Sequence, residues 1–177
     1  STWSATSGVF SFLNDIEIAP SDPTILYVGG GSDVSVARST DSGETWETAA
    51  DGLAGALILD VAVDPLDASI VYAAAASGSV FRSFDGGDSW TAIDSGLSGF
   101  PRSLAVHPTT PTTIYAGTHL VFKSLDRGDH WTPSPSFSSG SIESLAVSPS
   151  DPTVVYTSSV ARSLDGGSTF QLLNDGL

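Results

Sequence analysis

The sequence lacks cysteine and methionine altogether, and it has only 6 lysine and arginine residues against 20 aspartates and glutamates. Without cysteine, the chain can form no disulfide, thiolate nucleophile or cysteine-ligated metal site. The formal net charge of −14 repels phosphate backbones and anionic lipids, so we expect no nucleic-acid partner. No apolar run approaches the ~20 residues that a membrane helix needs, so we expect no membrane insertion.

Short apolar stretches separated by turn residues are abundant. Hydrophobic residues make up 40% of the chain, which also contains 18 glycines and 10 prolines. This composition favours a globular fold of many short strands over one of long helices.

One eight-residue pattern, S-x-D-x-G-x-x-W/F, occurs four times. Its copies begin at Ser39, Ser83, Ser124 and Ser163, at intervals of 44, 41 and 39 residues. A second pattern, an apolar stretch that ends in proline and is followed by a tyrosine, recurs in step with the first. An example is Leu104–Pro108 followed by Tyr115. Because the two motifs recur together four times in the same order, they indicate a repeat of about forty residues.

Each repeat contains four segments of strand length. Examples of the first to fourth segments are Leu104–Val106, Thr153–Tyr156, Val34–Arg38 and Thr45–Thr48. Four strands in ~40–45 residues are typical of a β-propeller blade. We therefore predict an all-β fold of four four-stranded antiparallel β-propeller blades, with the eight-residue motif in the turn between the third and fourth strands. The predicted repeats of this single domain, residues 1–177, are approximately 14–50, 58–95, 102–136 and 142–174, with 1–4 an extra outer strand.

The eight-residue motif has a structural explanation. Its aspartate can accept hydrogen bonds from turn amides, its glycine tolerates a positive φ, and its aromatic ring can be buried between blades. A carboxylate that recurs once per repeat favours a structural role over a catalytic one. The predicted structural residues are Ser39, Asp41, Gly43, Trp46, Ser83, Asp85, Gly87, Trp90, Ser124, Asp126, Gly128, Trp131, Ser163, Asp165, Gly167 and Phe170.

These motifs resemble the Asp-box (BNR) repeats of sialidases, xyloglucanase-type glycoside hydrolases, sortilin-like receptors and photosystem assembly factors. The resemblance spans nearly the whole chain. It implies a ligand face opposite the Asp-box turns, where the loops entering each first strand meet the loops joining the second and third strands. The candidate residues of that face are Asn14, Asp15, Asp60, Phe100, Arg102 and Glu143. In the same loops, Phe10, Phe12, Phe100 and Phe137 could stack on sugars or pack the ends of the blades.

No catalytic set is predicted. A sialidase needs three arginines that converge on one carboxylate, but Arg38, Arg82 and Arg162 share one repeat position, which spreads them around the ring. A xyloglucanase-like site needs carboxylates from two propellers, and Asp60 is the nearest candidate by position. No metal site or cofactor is predicted either, because the three histidines lack ligand spacing and Gly29–Gly31 is not followed by a helix or a lysine.

Two functions remain open from the sequence. One is a non-catalytic module that binds a glycan or a protein through variable loops or blade edges. The alternative is a fragment of a polysaccharide-degrading glycoside hydrolase whose active site needs a second propeller. We favour the first, because no convergent acid–base pair is visible. A composition low in lysine and rich in serine, alanine, glycine and aspartate predicts an extracellular or cell-surface bacterial protein.

The two ends of the sequence predict additional partners. Ser1–Trp3 matches the last residues of an Asp box, and Asn174–Leu177 matches Ala50–Leu53, which precedes a first strand. We expect further propeller blades or a second copy of the chain to be present. The alternative is that the extra strand closes a ring, within one chain or across a dimer.

Overall fold

Four separate β-sheets make up the structure. A computed structural model describes residues 12–31, 33–53, 55–134 and 140–173, and every regular element in these ranges is a strand. Blade 1 contains β1 (Leu13–Ile18), β2 (Leu26–Gly30), β3 (Val36–Ser39) and β4 (Glu47–Thr48). Blade 2 contains β5 (Ile58–Asp64), β6 (Asp67–Ala75), β7 (Val80–Ser83) and β8 (Thr91–Ala92). Blade 3 contains β9 (Ser103–Val106), β10 (Ile114–Gly117), β11 (Val121–Ser124) and β12 (Thr132–Pro133). Blade 4 contains β13 (Leu145–Val147), β14 (Val155–Thr157), β15 (Ala161–Ser163) and β16 (Gln171–Leu172).

Within each blade, strands that follow one another in sequence pair antiparallel. The first strands of neighbouring blades, β1, β5, β9 and β13, contact one another in sequence order and line a central channel. The predicted all-β fold of four four-stranded propeller blades is therefore confirmed. The predicted extra strand at residues 1–4 lies outside the described residues.

The outer strands begin later than the sequence predicted. β4 begins at Glu47 and not at Thr45, because the Thr45 amide and hydroxyl both donate to the Asp41 carboxylate. In blade 2, the amide of Trp90 donates to the Asp51 carbonyl, which lies before blade 2 begins. Amides used in this way cannot join the strand ladder.

The hydrophobic core lies between blades. Tyr27, Tyr72 and Tyr115 are each almost fully buried, and each belongs to a cluster that includes the first strand of the following blade. Tyr27, for example, shares its cluster with Val61 and Val63. At each of the three interfaces, the earlier blade contributes a tyrosine and the later blade a pair of branched side chains from its first strand, so that neighbouring blades stabilise each other.

In blades 1 to 3, the cation before the box serine donates a hydrogen bond to the next blade. Arg38 Nη1 donates to the Gly86 carbonyl at 2.8 Å, and Arg82 Nη1 donates to the Arg127 carbonyl at 2.7 Å. Lys123 Nζ donates to the Gly166 carbonyl at 2.7 Å. Each acceptor directly follows the aspartate of the next Asp box. These cations therefore connect successive blades and do not converge on one ligand.

The strand register separates two faces of the molecule. Ile18 pairs with Leu26, and Leu26 pairs with Ser39, so the proline turn after β1 and the start of the Asp box lie at the same end. Leu13 pairs with Gly30, which places the start of β1 and the β2–β3 loop at the opposite end. The loops at this second end form what we call the loop face.

Candidate functional site

The Asp-box turns form the face opposite the loop face. In blade 1, Ser39 Oγ donates to Asp41 Oδ1 at 2.8 Å and accepts from the Gly43 amide at 2.9 Å. Asp41 also accepts from the amide of Thr45 at 2.8 Å. The same bonds recur in the other three boxes. Gly43 has a φ of +88°, which only glycine adopts readily.

These hydrogen bonds keep the box carboxylates ionised. The hydroxyl and amide of Thr45 lower the pKa of Asp41 to about 2. His130 and Thr169 lower the pKa values of Asp126 and Asp165 to about 2 in the same way. A carboxylate already engaged by its own turn, with a depressed pKa, is suited to fixing a turn and not to proton transfer.

Replacing Ser124 with alanine should destabilise blade 3. The Ser124 hydroxyl is buried and contacts both the Asp126 carboxylate and the Gly128 amide. Its loss leaves a buried amide without a partner, which costs roughly 1–3 kcal/mol of unfolding free energy. Urea unfolding measures this loss. Ser98→Ala, an exposed serine in a loop, is the matched control, and an equal effect of the two substitutions would contradict the structural role of the box.

The central channel has a volume of about 490 Å³ and is lined by residues of all four first strands. Polar side chains at the starts of these strands bond the next blade. Asn14 Nδ2 donates to the Ile58 carbonyl at 2.7 Å, and Asp15 Oδ2 accepts from the Val61 amide at 2.9 Å. Asp60 Oδ2 accepts from the Leu104 amide at 2.5 Å. The predicted residues Asp15 and Asp60 therefore line the channel, whereas Asn14, beside them at the start of β1, connects blade 1 to blade 2.

Three carboxyl groups of the channel influence one another. Burial raises the pKa of Asp60 to about 8, and the negative charges of Asp15 and Glu17 act in the same direction. Burial, together with the charge of Asp15, also raises the pKa of Glu17. A side-chain hydrogen bond to Asp15 also raises the pKa of Asp60, because the protonated carboxyl can donate to a neighbouring carboxylate.

A second cluster lies on the loop face between blades 3 and 4. A groove of about 310 Å³ is lined by Gly99, Phe100, Arg102, Thr118, His119, Gly140 and Ser141. The Phe100 side chain is 65% exposed. Arg102 Nη1 lies 3.2 Å from Glu143 Oε2, and both side chains are about half exposed. The groove thus presents an exposed aromatic ring beside a solvent-accessible ion pair.

The six candidate residues fall into these two groups, and the structure does not bring the groups together as one site. Phe12 is exposed, whereas Phe10 and Phe137 lie outside the described residues. Two participants were not singled out from the sequence: Glu17 in the channel and His119 in the groove. Comparison of the repeats could have identified Glu17, because the corresponding residues Ala62, Ala105 and Ala146 are all alanine.

In the ranges that the structure describes, no three histidine, aspartate or glutamate side chains are grouped as a metal site. The same ranges contain no helix with the length and apolarity to span a bilayer.

Solved structures share this architecture. An ancestral GH74 enzyme matches with a TM-score of 0.80 and 20% identity, over 92% of this chain and 24% of its own. The GH74 xyloglucanase from Xanthomonas campestris matches with a TM-score of 0.72 and 20% identity, over 94% of this chain and 31% of its own. YCF48 bound to D1 peptide matches with a TM-score of 0.61 and 18% identity, over 95% of this chain and 60% of its own. At such identities, the likeness shows the fold alone, and this chain spans about a quarter to three-fifths of the length of these proteins.

Sequence comparison identifies a family. None of the curated proteins matches the chain. The Sortilin-Vps10 family, described as sortilin and neurotensin receptor 3, matches residues 34–133, which is more than half of the chain. This segment runs from the loop before β3 to the end of β12 and includes the first three Asp boxes. On this match, the chain belongs to the Sortilin-Vps10 family.

Proposed function

We propose that the chain is a non-catalytic interaction module, and that its loop-face groove around Phe100 and Arg102 binds a segment of a partner protein. The observation that carries this proposal is the exposed Phe100 ring beside the Arg102–Glu143 ion pair. Exposed aromatic and arginine side chains are the types that most often dominate binding energy at protein interfaces. The groove is also built from variable loops on a rigid scaffold, where binding sites are commonly placed.

A protein segment fits this groove better than a sugar does. The Arg102 guanidinium and the Glu143 carboxylate can pair with charged side chains or with backbone groups of an extended peptide. Sugar binding would gain from a flat ring, but the described part of the groove contains Phe100 as its single aromatic residue. The solved YCF48 structure contains a bound D1 peptide, which agrees with a peptide ligand on this type of fold.

Binding can be tested by screening the chain on peptide and glycan arrays. We expect peptides to bind, and we expect the double variant Phe100→Ala/Arg102→Ala to lower affinity at least about tenfold. Phe84→Ala is a matched control, since Phe84 is also an exposed aromatic residue but lies in an Asp box on the opposite face. Binding of glycans alone, or equal affinity of both variants, would contradict the proposal.

A hydrolase fragment is the second candidate, and the channel carboxylates favour it. The raised pKa of Asp60 is a property of general acids. Glycosidases, however, hold their two carboxyl groups about 5–9.5 Å apart, whereas Asp15 and Asp60 are close enough to hydrogen-bond. Turnover of xyloglucan by this chain alone, abolished in Asp60→Asn, would favour the hydrolase over the binding module.

The location of the protein is also part of the proposal. Its acidic, cysteine-free and lysine-poor composition supports an extracellular or cell-surface role.

A further inference from the structure

Blades 2 and 3 share an ion pair that the other two interfaces do not repeat. Asp64, the last residue of β5, is fully buried, and its Oδ2 lies 3.4 Å from Nη2 of Arg127 in the third Asp box. The residues at these two repeat positions are Ala19 and Gly86 between blades 1 and 2, and His107 and Gly166 between blades 3 and 4. Neither of those pairs contains two charges of opposite sign. A buried carboxylate paired with an arginine therefore distinguishes one interface from two others that share its tyrosine and cation contacts.

The backbone directs the Arg127 side chain into the interface. The residue after the box aspartate has a positive φ in all four boxes, for example 70° at Gly86 and 60° at Arg127. A β-carbon at Gly86 would lie 3.3 Å from the hydroxyl of Tyr27 in the preceding blade. Since Arg127 occupies the same position in the next box, its side chain begins beside the corresponding Tyr72 and extends to Asp64. Burial raises the pKa of Tyr72 to about 12, and the charges of Arg127 and Asp64 also influence it, as expected for three groups that lie together.

Stability does not account for an arginine at this position. A positive φ is unfavourable for a residue with a long side chain, whereas glycine adopts it readily. The buried Tyr72 hydroxyl has no hydrogen-bond partner among the residues that the structure describes, although the Tyr27 hydroxyl donates to the Ala68 carbonyl of the next blade at 2.9 Å. Burial of two opposite charges also carries a desolvation penalty that their attraction offsets only in part, so uncharged residues are often as stable. The ion pair therefore calls for a role other than stability.

We propose that the Asp64–Arg127 pair selects blade 3 as the neighbour of blade 2. Blades that use the same contacts at every interface can pack against a wrong neighbour, within one chain during folding or between two copies. If blade 2 packs against blade 4, Asp64 is buried opposite Gly166 and has no cation. If blade 3 packs against blade 1, Arg127 lies opposite Ala19 and has no carboxylate. A buried charge without its partner disfavours both arrangements, much as a buried polar residue fixes the register of a coiled coil.

Arg127→Gly is the first test, because two explanations predict opposite signs. If Arg127 only fills the turn, the glycine found in boxes 2 and 4 should stabilise the chain by removing backbone strain. If Arg127 neutralises Asp64, the variant leaves a buried carboxylate unpaired, and we expect the folding equilibrium constant to fall at least about tenfold. Urea unfolding measures this change, and greater stability of Arg127→Gly would overturn the proposal.

The double variant Asp64→Ser/Arg127→Gly removes both charges. Blade 4 already has a serine at this position, Ser148, and the new hydroxyl can accept from the Leu66 amide, which now donates to Asp64 at 2.9 Å. We expect the double variant to recover most of the loss, because no unpaired charge remains buried. A double variant as unstable as Arg127→Gly would contradict the proposed pairing.

Refolding tests the selection of the neighbour. The unaltered chain and the double variant are unfolded in urea and diluted to a range of protein concentrations, and size-exclusion chromatography with light scattering measures the fraction that returns to the native species. We expect the double variant to form at least about twofold more misassembled protein, with the excess rising with concentration. Asp33→Ala, at an exposed loop position, is the control and should refold like the unaltered chain. Equal recovery of the unaltered chain and the double variant at every concentration would overturn the proposal.

Discussion

The unaltered chain is expected to lose stability as the pH rises, and Asp60→Asn is expected to make stability less dependent on pH. The folded-state pKa of Asp60 is raised to about 8, above the value of about 4 for an unfolded chain. Between these values the folded state holds a proton that the unfolded state has released. The free energy of unfolding therefore falls with rising pH by about 1.4 kcal/mol per pH unit. Asparagine does not titrate, and its side-chain oxygen can still accept from the Leu104 amide.

The measurement is urea unfolding of both proteins at several values between about pH 5 and about pH 8. The difference between them isolates Asp60, because the lowered pKa values of the box carboxylates affect stability only below about pH 4. Asp33→Asn, at an exposed loop position, should follow the unaltered chain. A difference that stays constant with pH would mean that Asp60 is ionised when folded.

Trp131→Ala should produce a large loss of stability. The Trp131 ring is buried in the cluster between blades 2 and 3, and its Nε1 donates to the Ile93 carbonyl at 2.7 Å. Truncation removes this packing, opens a cavity and leaves the carbonyl without its donor. The expected cost is roughly 3–5 kcal/mol, which corresponds to a decrease in Tm of roughly 10 °C. Thermal unfolding followed by near-UV circular dichroism measures it.

Two further variants test whether burial of the Trp131 ring between blades is the source of this stability. Trp131→Phe places at this site the residue that blade 4 has at Phe170, so it retains most packing and should lose about 1–2 kcal/mol. Trp46→Ala truncates the equivalent, half-buried ring of blade 1 and should cost less than Trp131→Ala. Equal losses for Trp46→Ala and Trp131→Ala would show that burial between blades is not the source of the stability.

The repeated motifs made the fold predictable. A box serine two residues before an aspartate and four before a glycine can form only a local network, and this network is what the structure contains at Ser39, Asp41 and Gly43. The boundaries of the outer strands were less predictable. They depend on amides such as those of Thr45 and Trp90, which are engaged by the turn or by the preceding blade.

The candidate site was only partly predictable. Repeat position placed Asn14, Asp15 and Asp60 at the starts of first strands, and Asp15 and Asp60 line the channel. Repeat position could not indicate that Asp60 would be buried beside two other carboxyl groups, because burial depends on the curvature that brings β1, β5 and β9 together. It also could not indicate that Phe100 and Arg102 form a separate groove with His119, which comes from a different loop.

The sequence by itself determined the features that arise within one repeat: the strand order, the Asp-box turns, and the tyrosine and cation positions. These follow from hydrogen bonds and alternation over a few neighbouring residues. The tertiary structure alone decided the features that arise between repeats: the burial of Asp60 beside Asp15 and Glu17, and the groove at Phe100. Those features depend on how blades pack against one another, and contacts between residues about forty positions apart are set by that packing and not by local sequence.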